Sequence, residues 1–224
     1  MGGFQVLEWA LRFPQQVHAA ICIASAARLS AQAIAFNSVC RSAITRDPDW
    51  HDGNYKDRGP EKGLATARMI GHITYLSEVL LDAKFGRRLQ SADRLSYNFA
   101  SEFAVESYLN YQGSAFTQRF DANSFLFITK AMDYFDLIRS YGPLKEAFAN
   151  IQARCLFISY STDWLFPTSQ SREMVRAMLA SGKPVSFIEI DSHYGHDAFL
   201  VEDDKLSPVI KGFLTGTGKP GDPL

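Results

Sequence analysis

Two short apolar runs near the end of the chain, ARCLFISYS at 153–161 and VSFIEI at 185–190, bracket a segment, 169–179, in which apolar residues recur at helical spacing. The first reads as a buried strand and the second as another strand. A strand, a helix and a second strand joined by short turns leave one economical solution, a right-handed βαβ unit in a parallel sheet. This feature fixes the fold class as α/β. A further short helix expected around Leu206 to Leu214 would cover the sheet again.

The rest of the chain arranges itself around that unit. Phe4, Leu7, Ala10 and Leu11 have the spacing of an amphipathic helix ended by Pro14, and VHAAICIAS at 17–25 reads as another buried strand. Between about Ala26 and Asn150 the period is helical, broken by turn clusters at Asp47-Pro48-Asp49, Asp52-Gly53-Asn54, Gly59-Pro60 and Tyr141-Gly142-Pro143. Pro60 suits the first turn of a long helix running to about Phe85, and Asp121 or Asn123 can cap one carrying Phe125, Ile128, Met132 and Phe135. The expected division is a core over 1–27, a helical insertion over 28–150, the core again over 151–215, and a flexible tail, rich in Gly and Pro, over 216–224.

At 224 residues the chain can bury roughly 70% of its unfolded surface, so it needs no disulfide staples. Its three cysteines lie far apart with no metal-ligand spacing, so they read as buried thiols and no metal is expected. The net charge of -1 and the absence of a basic run longer than Lys84, Arg87 and Arg88 argue against nucleic acid or an anionic membrane as partner. With neither a spanning apolar run nor a signal-peptide pattern, the expected location is the cytoplasm.

In open α/β sheets, ligands sit beyond the carboxyl ends of the strands. Asp163 follows the first run, and the loop after the second reads Asp191-Ser192-His193-Tyr194-Gly195-His196-Asp197. An acid and a histidine brought to one sheet edge are two thirds of a nucleophile–acid–base triad, in which the carboxylate fixes the imidazole tautomer and stabilises its developing charge. On spacing alone, a helix-capping Asp163 and a surface His196 read at least as well. The start of the chain adds weight. A nucleophile elbow, G-x-S-x-G, leads straight into a helix, and Met1-Gly2 fits its last two positions, with the serine expected one residue before Met1.

The blocks MGGFQVLEWALRFP, GLATARMIGHITYLSE, KFGRRLQ, FAVESYLNYQG, FDANSFLFITKAMDYFD, STDWLFP, QSREMVRAM and GHDAFL closely resemble the homoserine O-acetyltransferase family, from Met1 to about Phe213. The resemblance implies an α/β-hydrolase core with an inserted helical lid. It also implies N-terminal strands preceding Met1, a homodimer formed through the lid, and acetyl transfer from acetyl-CoA to L-homoserine in methionine biosynthesis. No cofactor is called for beyond acetyl-CoA as co-substrate.

Carried over residue by residue, the resemblance makes Asp163 the acid and His196 the base, with Arg68 and Asp197 holding homoserine. Met1 falls at the oxyanion hole. A zwitterionic substrate agrees, since Arg68 can fork its carboxylate and Asp197 suits its ammonium. Arg68, His72 and Tyr75 share one helical face, a stripe that is ordinarily solvated. The resemblance turns Arg68 toward the cleft with Tyr75 as a weaker candidate, and His72 is read as a neutral packing residue. His193 rivals His196 as base, and the family motif chooses His196. Asp191 reads as a local partner at its strand exit.

Leu165 stands where succinyl-CoA users in the family tend to carry an arginine, so it favours an acetyl donor. Alternative readings are a succinyltransferase of the same family and a truncated, non-catalytic interaction module. A plain esterase of the same fold is disfavoured by the Arg68 and Asp197 pair. With the serine and the preceding strands expected upstream, Met1 reads as an internal methionine of a longer frame.

Overall fold

The computed structural model describes residues 1–56, 59–90 and 94–216. In chain order its principal elements are α1 (Gly2–Arg12), β1 (Ala19–Ile23), α2 (Ala31–Thr45), α3 (Glu61–Tyr75), α4 (Glu78–Lys84), α5 (Ala104–Thr117), α6 (Ala122–Tyr134), α7 (Leu137–Tyr141), α8 (Leu144–Phe148), β2 (Arg154–Tyr160), α9 (Thr168–Ala180), β3 (Val185–Ile190), α10 (Ala198–Val201) and α11 (Asp203–Thr215). They fall into two compact units, Met1–Leu29 with Phe135–Leu224, and Ser30–Tyr134. Of the tail expected over 216–224, residues 217–224 lie outside the described residues.

The first unit is built on a parallel sheet ordered β1-β2-β3, with Ile21 opposite Leu156 and Ile158 opposite Ile188. Every residue of β2 after Arg154 is buried, as a central strand with both faces covered demands. The side-chain period of two splits its residues between two cores. Cys155 and Phe157 pack with Leu7 and Leu11 of α1, Phe148 of α8, and Met174 and Met178 of α9. Leu156, Ile158 and Tyr160 point the other way, toward Ala198 and Leu206, with Val209 and Phe213 of α11 against them.

Two expectations are corrected. The helical insertion ends at Tyr134, short of the 150 inferred from periodicity, and α7 and α8 belong to the sheet-bearing unit. Leu137, Phe148 and Ile151 are fully buried, in the same core as Leu7. Helical periodicity shows that a face is apolar without showing which unit buries it. The long helix from Pro60 to about Phe85 is two helices. Leu76 is extended (φ -99°, ψ 150°), and the Ser77 hydroxyl accepts the Leu80 N–H at 3.0 Å to start α4.

The described elements of the second unit are helices, with Cys40, Ile44, Leu64, Ala67, Phe116 and Ala122 as its core. The approach of α3 to α2 depends on Gly63, where a Cβ would stand 2.4 Å from the Ala43 carbonyl oxygen. Asp121 rather than Asn123 caps α6, accepting the Ser124 N–H at 2.6 Å. All three cysteines are buried and unbridged, and burial pushes the Cys40 and Cys155 thiols up to about 11. Thiols that hard to ionise are packing residues. Among the described residues no helix is long and apolar enough to cross a membrane.

Candidate active site

As the chain leaves β2 it folds back on itself, the Asp163 N–H donating to the Tyr160 carbonyl at 3.1 Å. The Asp163 carboxylate is buried, and its two oxygens divide their work. Oδ1 accepts the backbone N–H groups of Leu165 at 3.0 Å and Phe166 at 2.8 Å, an Asx turn that shapes the entry to α9. Oδ2 lies 2.8 Å from Nδ1 of His196. Asp163 does not cap α9, whose N-cap is Pro167; its local turn occupies one oxygen and leaves the other on the histidine. A carboxylate on Nδ1 selects the Nδ1–H tautomer and leaves Nε2 able to accept a proton.

His196 follows Gly195, whose φ of +71° lies in the left-handed region that glycine alone enters freely. Its ring packs between Phe166, with centroids 5.2 Å apart, and Phe199, edge-on at 5.6 Å. The imidazole retains 17% of its side-chain exposure against none for Asp163, so the carboxylate is sealed and the ring reachable.

The start of α1 comes to the same place. Phe166 also meets Phe4 of the first turn of α1 at 6.2 Å, and Phe4 stacks on Phe135 at 4.2 Å. Gly3 lies against Ser25, just past β1. The Met1 carbonyl accepts the Phe4 and Gln5 N–H groups at 2.9 and 3.2 Å, so Met1 occupies the N-terminal cap of the helix. Among the remaining candidates of this unit, Asp197 stands at the N-cap position of α10 directly after His196, without a side-chain cap bond to the helix, and Leu165 is half-buried two residues after Asp163. Asp191 pairs locally, accepting the Ser161 hydroxyl at 2.8 Å, and His193 is exposed.

Arg68 and Tyr75 lie in the helical unit, on α3. Arg68 is half-buried, with its Cζ 4.7 Å from the Phe116 ring centre and 5.8 Å from that of Tyr75, and its buried Nε has no hydrogen-bond partner among the described residues. His72 is buried one turn on, with Nδ1 3.3 Å from the Tyr108 hydroxyl. Burial first, then the positive charges of Arg68, Lys84 and Arg119, lower its pKa to about 4, so it is neutral at pH 7. What residue reading missed is a set of hydroxyls, on Ser161 and Thr162, that tie the acid and base loops together. Its only trace in the sequence is the Ser-Thr pair immediately before Asp163.

A parallel sheet that delivers a buried aspartate from one strand exit to the histidine from the next, beside the N-terminus of a helix, has the layout of a hydrolase-type acid–base pair. The chain belongs to the α/β-hydrolase fold family, whose pattern it matches over residues 1–203. Homoserine O-acetyltransferase of Bradyrhizobium diazoefficiens is 51% identical over 222 residues, 98% of this chain, and the enzyme of that name from Desulfotalea psychrophila is 53% identical over 220 residues. The chain spans 56% of the length of each. A crystal structure of homoserine O-acetyltransferase from Bacillus anthracis superposes with a TM-score of 0.88 at 25% identity, covering 96% of this chain and 57% of that one.

Proposed function

We propose that this chain serves homoserine O-acetyl transfer, moving an acetyl group from acetyl-CoA to the hydroxyl of L-homoserine in methionine biosynthesis. The observation that carries the reading is the 2.8 Å contact between His196 Nδ1 and the buried Asp163 carboxylate, set in a chain about half identical to proteins of that name. His196 Nε2 takes the proton of a serine hydroxyl held at the N-terminal end of α1, and the serine oxygen attacks the thioester carbon. The CoA thiolate leaves with that proton. The homoserine hydroxyl then gives its proton to Nε2 and attacks the acyl-enzyme, and the serine is restored. One base serves both halves of a ping-pong cycle.

In this reading the Met1 backbone N–H steadies the oxyanion, Arg68 grips the homoserine carboxylate, Asp197 takes its ammonium, and Tyr75 lines the site. The helical unit is the lid that keeps water from the acyl-enzyme and the surface through which a homodimer forms. The apolar Leu165 leaves a succinyl carboxylate without a partner, which favours acetyl as the donor. A cytoplasmic location goes with a biosynthetic role.

The test is acyl transfer by the complete enzyme carrying this chain, with O-acetylhomoserine measured by mass. His196→Ala abolishes product and His193→Ala retains it. The reverse pattern overturns the assignment of the base, and ester hydrolysis with no transfer to homoserine overturns the transferase reading in favour of an esterase.

A further inference from the structure

We infer that Thr162 is a positioning residue for the acid–base pair, its hydroxyl locking the loop that carries His196 onto the turn that carries Asp163. The hydroxyl donates to the Ser192 carbonyl at 2.7 Å and accepts the Gly195 N–H at 3.1 Å. Thr162 is the residue before the acid, and Gly195 is the residue before the base. The peptide that aims the imidazole is thereby held to the side chain next to the carboxylate it must meet.

The loop depends on such side-chain bonds. Ser161 Oγ donates to Asp191 Oδ1 at 2.8 Å and accepts the Ser192 N–H at 3.0 Å, the Tyr194 N–H goes to Ser192 Oγ at 3.0 Å, and Lys205 Nζ reaches the Asp191 carbonyl at 2.7 Å. Burial separates the two hydroxyls. Ser161 and Asp191 are exposed, so water can replace their bond at little loss, whereas Gly195 is buried and its N–H would be left unpaired if Thr162 lost its hydroxyl; the Ser192 carbonyl would keep Ser161 Oγ at 3.2 Å. Gly195 sits at φ +71°, where its peptide has freedom to swing, and the Thr162 bond removes that freedom.

The inference rests on the reading of Asp163 and His196 as acid and base, and its test is chosen to be independent of activity. In the chain itself, the Gly195 amide should be strongly protected from hydrogen exchange, and the ¹⁵N signals of the neutral His196 ring should report a single Nδ1–H tautomer. Thr162→Val, which keeps the shape and removes the hydroxyl, should expose that amide and let the ring average between tautomers, while Thr162→Ser restores both. In the complete enzyme Thr162→Val should lower kcat by roughly 10–100-fold with KM for both substrates unchanged, as displacement of a catalytic group does.

An unprotected Gly195 amide in the unmodified chain overturns the inference even if Thr162→Val fails to fold. So does a folded Thr162→Val chain with a fixed tautomer and parental kcat. Failure of His196→Ala to abolish transfer strikes the underlying reading instead, and leaves the exchange and tautomer results standing.

Discussion

Gly3, in the first turn of α1, lies so close to Ser25 that a Cβ there would stand 2.3 Å from Ser25 Oγ and 2.5 Å from Ser25 Cβ. Ser25 is itself buried just past the end of β1, so this contact seats the helix N-terminus at the sheet edge where Asp163 and His196 meet. The hydroxyl can rotate away, but Ser25 Cβ is fixed by its backbone. Gly3→Ala should therefore destabilise the chain by about 1–3 kcal/mol through overpacking. Gly2→Ala is the control, since nothing lies within 4 Å of the added carbon. Denaturant melts of the two variants check this, and a Gly3→Ala chain as stable as the parent would remove α1 from the sheet edge.

Asp163→Asn separates structure from chemistry at the acid. The amide oxygen can still accept the Leu165 and Phe166 N–H groups that Oδ1 holds now, so the turn into α9 survives and the melt stays near that of the parent. The amide nitrogen then faces His196 Nδ1 and, as a donor, imposes the wrong tautomer. Transfer by the complete enzyme should fall by about 10⁴-fold, as it does when a triad aspartate is replaced in this way elsewhere. A loss of less than tenfold would show that Asp163 is a turn residue only.

The strands and the meeting of Asp163 with His196 were legible because both leave local marks. Apolar runs at 153–161 and 185–190 became β2 and β3, and polar residues directly after such runs must emerge at the strand exits. The break between α3 and α4 was hidden because Leu76 continues the apolar rhythm while the cap sits in one serine, Ser77. Whether Leu137 and Phe148 pack with the sheet or with the helices is settled by tertiary contact, on which a 3.6-residue period is silent. The Thr162 bond to Gly195 joins residues 33 apart through one hydroxyl, and no periodicity announces such a bond.

His72 predicts an acid limit on stability. Its folded pKa of about 4 lies below the ordinary 6.5, so the unfolded chain binds the proton more tightly. His72 therefore costs nothing above about pH 6.5, and stability drains away as pH falls from there toward 4, by on the order of 3 kcal/mol once the ring is protonated in both states. His72→Gln should flatten the dependence of Tm on pH between 7 and 4.5 relative to the parent. Parallel curves for the two chains would show that the ring is hydrated and titrates normally.

Leu165 offers a test of donor choice that leaves the acid untouched. Only its backbone N–H serves Asp163, donating to Oδ1 at 3.0 Å, so Leu165→Arg alters the side chain beside the acid while that hydrogen bond stays in place. In the proposed transferase the half-buried leucine would present hydrocarbon to the acyl group, which would suit acetyl and strip water from a succinyl carboxylate without repayment. A guanidinium there can fork that carboxylate. The ratio of kcat/KM for succinyl-CoA over acetyl-CoA in the complete enzyme should rise by roughly tenfold or more, the scale of one charge-assisted hydrogen bond. An unchanged ratio, with both donors slowed equally, would move the selection of the acyl group away from this position.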